Sequence, residues 1–255
     1  SFGRLAYRVD QAGLKDGIKA IFYHQGESDS VYNRYLSYSD SFDILNKDWK
    51  RVYTGLDKIY LFQIHPGCGG SFQSELREIQ NQISKRYDHV EIMSTTGVVG
   101  HDGCHFSYEG YQEFAKRILP LVSRDLLGEQ QRSIITPPQL LNAYYSGKRE
   151  ITLDFDQLVE IENFLEVNGV KHFMKDQFFF NVEKNSSLLN GVVNSIVSKK
   201  EQVIIKLNSD EKYFTVTWLP NKEYPKTNDI YNGPWIRGSD NKIGALSFYK
   251  RNINN

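Results

Sequence analysis

The chain has 255 residues, 40% of them hydrophobic, which is enough for one large domain or two ordinary ones with a sizeable core. Its 31 basic and 31 acidic residues balance, so it lacks the electrostatic footprint that nucleic acid or an anionic membrane surface asks for. No apolar run approaches the roughly 20 residues of a membrane span. Aromatic residues are abundant, at 16 Tyr, 15 Phe and 3 Trp; they suit a β-rich core first and sugar faces second.

In chain order, residues 5–14 read as a helix with Gly13 and Gly17 as stop signals. Residues 18–23, Ile-Lys-Ala-Ile-Phe-Tyr, read as a short buried strand. Residues 32–53 carry Tyr35, Phe42, Leu45 and Trp49 at helical spacing. A second buried strand over 58–64 runs into the Gly-rich loop Pro66-Gly-Cys-Gly-Gly. An amphipathic helix is expected over 74–87 and a third strand over 89–94. Ser107 then caps a helix running to about residue 119. Repeated βα units with continuous apolar strands predict an α/β fold, a parallel sheet covered by helices.

The texture changes near Ser133, and Thr136-Pro-Pro marks a linker or domain entry. Short alternating runs follow at 150–155, 202–207 and 213–218, separated by turn signals. They predict an antiparallel all-β sandwich or barrel. The organisation expected is therefore an α/β domain over 1–132 and a β-sandwich-like accessory domain over 133–255. One Asn-x-Ser site stands at Asn185; it has meaning only where N-glycosylation operates.

Ligands of open α/β sheets bind at the loops that follow the carboxyl ends of parallel strands. Three such loops are rich in reactive residue types: His24-Gln-Gly-Glu-Ser-Asp, His65-Pro-Gly-Cys-Gly-Gly, and Gly97-Val-Val-Gly-His-Asp-Gly-Cys-His-Phe. In the third, Asp102 and His105 are three residues apart. One turn can set the carboxylate against Nδ1 and leave Nε2 free as a general base. Taken alone, a D-x-x-H is more often a turn cap beside an ordinary loop histidine. His101 is a rival base, poorly oriented by its immediate neighbour Asp102. In the first loop Gln25 offers amide N–H donors for a developing oxyanion, and Glu27 can brace the loop by accepting backbone N–H bonds. Alone, this loop too reads as a polar turn.

Together the two loops say more. Tyr23-His-Gln25-Gly26-Glu27-Ser-Asp29 after a buried strand, followed by the block from Asp102 to Gly110, resembles the SGNH hydrolase superfamily. Within it the match is to the sialate O-acetylesterase and acetylxylan esterase-like branch, over roughly residues 1–128. The resemblance implies a three-layer α/β domain and carbohydrate O-acetylesterase chemistry without a cofactor or metal. It assigns Asp102 and His105 to a Ser-His-Asp triad and Gln25, with Gly26 and Glu27 in the same block, to the oxyanion and substrate side. The implied partner is an acetylated carbohydrate, a sialate or a polysaccharide such as xylan.

The departure from the family pattern is large. The nucleophile block, a Gly-x-Ser-Asn type, and the family's glycine block have no counterpart here. Ser28 and Ser30 lie beside Gln25 but not in a strand–turn–helix elbow, and Ser107 reads as a helix cap. The serine is therefore expected from a missing N-terminal segment or a second chain. Cys68 and Cys104 follow two strands at one sheet edge. They form either a disulfide, which implies an oxidising compartment (secreted, periplasmic or cell surface), or two buried thiols. A metal site with His65 and His101 is the least favoured reading, because neither a C-x-x-C nor an H-x₃-H pair is present. Beyond 133, Trp235 reads first as a core plug and second, with Tyr231, as a sugar platform. The alternative to an enzyme is a non-catalytic carbohydrate-binding or cell-surface protein on the same scaffold.

Overall fold

The computed structural model describes residues 2–167, 169–184, 186–221 and 232–255. Asn185 and Tyr231 lie outside the described residues. In the first half helices and strands alternate: α1 (Phe2–Gln11), β1 (Ala20–Tyr23), α2 (Tyr38–Val52), β2 (Lys58–Phe62), α3 (Gln73–Arg86), β3 (Val90–Met93) and α4 (Tyr108–Leu127). The three strands pair in parallel in the order β1-β2-β3. The pleat sends alternate β2 side chains to opposite faces. Ile59 and Leu61 join Phe42 and Trp49 of α2 and Leu76 and Ile83 of α3 in one cluster. Tyr60 and Phe62 join Phe114, Ile118 and Leu121 of α4 in another. Helices thus cover both faces of the sheet.

Two helices differ from the sequence expectation. The segment at 32–37 is a 3-10 turn rather than the start of α2, because Tyr32 adopts a left-handed φ of 54°, off the α-helical path. Helix α4 does not stop near 119; it continues through Pro120 to Leu127 and ends on Gly128 at φ 69°. The apolar stripe of Phe114, Ile118 and Leu121 crosses the proline, and burying Leu121 completely offsets the lost N–H bond. Ser107 holds the N-cap position, yet its hydroxyl makes no cap bond. It donates to Glu109 Oε2 at 2.6 Å instead.

The second half is antiparallel: β4 (Leu140–Gly147), β5 (Glu150–Phe155), β6 (Val159–Ile161), β7 (Phe164–Val167), β8 (Val170–Phe173), β9 (Phe178–Asn181), β10 (Val193–Lys199), β11 (Gln202–Leu207), β12 (Thr215–Trp218), β13 (Ile236–Gly238) and β14 (Phe248–Asn252). They form sheets β10-β11-β5-β4 and β14-β12-β9 and the pairs β13-β6 and β7-β8. Ile151 and Val203 of the first sheet share one core with Phe178, Val216 and Trp218 of the second. Trp235 is buried in that core, so it packs there and presents no open face.

The segment before β14 is bonded to the ends of β2 and β3. Ser247 N donates to Gln63 Oε1 at 2.9 Å, and Arg77 Nε donates to Ser247 Oγ at 2.7 Å. Thr96 Oγ1 donates to Ala245 O at 2.7 Å. Buried polar groups of this kind are costly to leave unpaired, so the junction is fixed. Gly244 lies so close to Thr96 that a Cβ there would collide with its carbonyl and hydroxyl oxygens. Gly244→Ala should therefore lower unfolding free energy by about 1–3 kcal/mol in urea titrations. Gly3→Ala in α1, where a Cβ meets open space, should not destabilise.

Candidate active site

Parallel pairing makes the chain leave β1, β2 and β3 at one edge of the sheet, and the three chemistry-bearing loops meet there. Loops one and two are joined through Ser30. Its Oγ accepts from Gly70 N at 2.6 Å and donates to Glu27 O at 2.6 Å. Its carbonyl accepts from Phe72 N at 3.1 Å. Loops two and three are joined by the Cys68–Cys104 disulfide and by the His65 and His101 rings, 4.3 Å apart. Loop one meets loop three through His24, whose ring lies 5.7 Å from that of Phe106.

Loop three closes on itself. Asp102 N donates to His105 O at 3.1 Å and Ser107 N to Gly100 O at 2.7 Å. Gly100 has φ 74° and sits against Ser107 and Gly110, where a side chain would not fit. Inside this turn Asp102 Oδ1 accepts from the N–H groups of Cys104 at 3.0 Å and His105 at 2.7 Å. Its Oδ2 lies 3.1 Å from His105 Nδ1. The His105 N–H above all holds Asp102 down to about 2; burial opposes it, and the His105 ring and the Cys104 N–H add to the lowering. The carboxylate is thus ionised at working pH and aligned to orient the imidazole. The His105 side chain is 78% exposed and that of Asp102 52%, and among the described residues no hydroxyl bonds Nε2. Ser30 is occupied as above, and Ser107 is committed to Glu109.

In loop one, Gln25 is held by its own neighbours. Tyr23 Oη donates to Gln25 Oε1 at 2.8 Å, and Gln25 Nε2 donates to Asp29 Oδ2. The Gln25 carbonyl accepts from Tyr38 Oη at 3.0 Å and Gln80 Nε2 at 3.1 Å. Gly26 is buried at φ 145°, pressed against Leu76, Gln80 and Ile64. Glu27 Oε1 lies 3.3 Å from His24 Nε2, a contact too poorly aligned to count as a hydrogen bond. Burial pushes the Glu27 carboxyl up, but His24 and the N–H groups of Glu27 and Gly26 together hold it below its ordinary value.

In loop two, His65 is 1% exposed and neither ring nitrogen has a hydrogen-bond partner. Burial first, then the neighbouring His101, pushes it down to about 3. His101 Nδ1 accepts from Gly103 N at 3.0 Å, so this histidine supports its own loop. Among the described residues no group of three or more His, Cys, Asp or Glu is arranged to hold a metal ion, and no helix is long and apolar enough to cross a membrane.

Residues 1–123 match the family model described as carbohydrate esterase, sialic acid-specific acetylesterase. No curated protein matches the chain. Among solved structures, a carbohydrate acetylesterase from Xanthomonas citri is similar at 13% identity and a TM-score of 0.69, over 91% of this chain and 50% of that one. At that identity the likeness concerns the fold. The chain spans half the length of that acetylesterase.

The supports that sequence reasoning missed are Tyr38 and Gln80, which bond the Gln25 carbonyl, and the Tyr23 and Asp29 contacts to its amide. Tyr23 and Asp29 stand in the motif itself, but which atom each would meet depends on the loop's path. The buried His65 leads to a solution test. Between about pH 3 and its ordinary value near 6.5, the unfolded chain binds a proton that folded His65 refuses, so stability falls on acidification through that window. His65→Phe should flatten this dependence. Urea midpoints at pH 7 and pH 4.5 measure it, and an unchanged acid loss in the variant would show that His65 does not cause it.

Proposed function

We propose that this chain carries the acid–base dyad and an oxyanion donor of a carbohydrate O-acetylesterase. The nucleophilic serine comes from a segment upstream of, or separate from, the chain. The observation that carries the reading is the Asp102–His105 bond, with His105 Nε2 open at the carboxyl edge of a parallel sheet. In the reaction Ser Oγ attacks the acetyl carbonyl and His105 Nε2 takes its proton. His105 then protonates the leaving sugar oxygen as the tetrahedral intermediate collapses to the acetyl-enzyme. A water, deprotonated by the same nitrogen, releases acetate. Asp102 orients the ring and stabilises the imidazolium, and Gln25 donates to the oxyanion. The substrate is an acetylated sugar, a sialate or a polysaccharide such as xylan, met in a secreted, periplasmic or cell-surface setting.

Two features support a serine-bearing segment beside β1. The outer edge of β1 pairs with no strand among the described residues, and unpaired sheet edges are normally covered. An apolar groove of about 510 Å³ borders it, lined by Phe22, Phe62, Tyr111, Leu119 and Val122, with Phe22 more than half exposed. A further strand parallel to β1 would bury that groove, end at the edge where Gln25 and His105 sit, and cover the half-exposed Asp102. Triad aspartates work buried.

The gene product containing this chain and the serine segment should cleave p-nitrophenyl acetate, and His105→Ala should cut kcat by about 10⁴ to 10⁶. An unchanged rate in that variant would reject the triad. If another residue occupies the serine position and no ester is cleaved, the scaffold is a carbohydrate-binding module.

A further inference from the structure

We propose that Asp29 is a positioning residue that fixes the amide of Gln25 in one of its two flipped orientations and leaves a single N–H to meet the oxyanion. The proposal rests on the reading of Gln25 as the oxyanion donor. A glutamine amide has an oxygen that only accepts and a nitrogen that only donates, and a half-turn about the last torsion exchanges them. Catalysis by such a group requires the nitrogen to stay on the oxyanion side, because the oxygen there would repel the developing charge.

The two partners of the amide are not equivalent. Tyr23 Oη lies 2.8 Å from Oε1, but a phenol can donate or accept, so it would tolerate either orientation. Burial, then the Asp29 and Glu27 charges, push Tyr23 up to about 12, which keeps it a hydroxyl but does not choose the flip. Asp29 does choose, since its carboxylate accepts only and meets the amide nitrogen. With one N–H committed to Asp29 and the oxygen to Tyr23, the second N–H is the group left over.

Asp29 itself is held in place. It sits in the 3-10 turn Glu27–Ser30, where its N–H and that of Ser30 both donate to Gly26 O, at 2.9 and 3.1 Å. Ser30 anchors the turn to Gly70. The Gln25 carbonyl is fixed from the other side by Tyr38 and Gln80. Held at backbone and amide alike, the side chain is pre-organised, which is the condition for strong oxyanion stabilisation. Strand β1 ends at Tyr23, so Gln25 and Asp29 stand beyond the sheet ladder.

The test is a double-mutant cycle in the active esterase with p-nitrophenyl acetate. Gln25→Ala should lower kcat by about 10²–10³, the range for removing one oxyanion donor. Asp29→Asn, which restores the flip degeneracy, should lower kcat about tenfold or more with KM little changed, because only transition-state contacts are lost. Asp29→Asn added to Gln25→Ala should have no further effect, since coupled residues are non-additive. A normal kcat in Asp29→Asn, or fully additive losses, would overturn the positioning role while leaving Gln25 as donor. A normal kcat in Gln25→Ala would instead reject the oxyanion reading. A readout without any variant guards against misfolding: in the wild-type chain one of the two Gln25 side-chain N–H protons should be shifted downfield of an ordinary glutamine pair and exchange slowly with solvent, and an ordinary pair in which both protons exchange fast would contradict the proposal.

Discussion

Parallel pairing of β1, β2 and β3 is the constraint from which the site follows. Strands running the same way need crossover helices, and those helices cover both faces of the sheet. The chain must then leave each strand at the same edge, so Gln25, His65 and the Asp102 turn converge without any long-range sequence signal. Three joints hold them there: the Ser30 hydroxyl, the Cys68–Cys104 bond and the contact of the His65 and His101 rings. Sheet topology chooses the place, and local turn chemistry within each loop chooses the atoms.

The β-rich half contributes through the same edge. Ser247 and Ala245 meet Gln63 and Thr96 directly after β2 and β3, at the roots of the second and third loops. Trp235 lies against Gly97, and its ring is 6.2 Å from that of His65. The stability of the antiparallel core is thereby linked to the geometry of the Asp102 turn. Moving that core would move the roots of two of the three loops.

Much of this was legible in the residues. Apolar runs located β1, β2 and β3, and the D-x-x-H spacing located the turn that joins Asp102 to His105. The end of α4 was not legible, because a local proline rule competes with a buried stripe that needs the sheet to exist before it has anything to pack on. Nor was the Gln63–Ser247 bond, whose partners are 184 residues apart and carry no pattern that pairs them. His65 looked like a ligand candidate and is a buried, neutral ring. Its environment is set by His101 and Phe106 of the third loop and by Trp235, which two segments far apart in the chain deliver.

In the proposed triad His105 serves a serine seated beside β1. A crystal structure of the active esterase inactivated with an alkyl fluorophosphonate tests it most directly, because the adduct marks the nucleophile and mimics the tetrahedral intermediate. The expected result is a phosphonylated serine on a strand paired to the free edge of β1, with His105 Nε2 within about 3.2 Å of an adduct oxygen and Gln25 Nε2 donating to the phosphoryl oxygen. An adduct on any other residue, or one formed at normal rate with His105 pointing away from it, would contradict it.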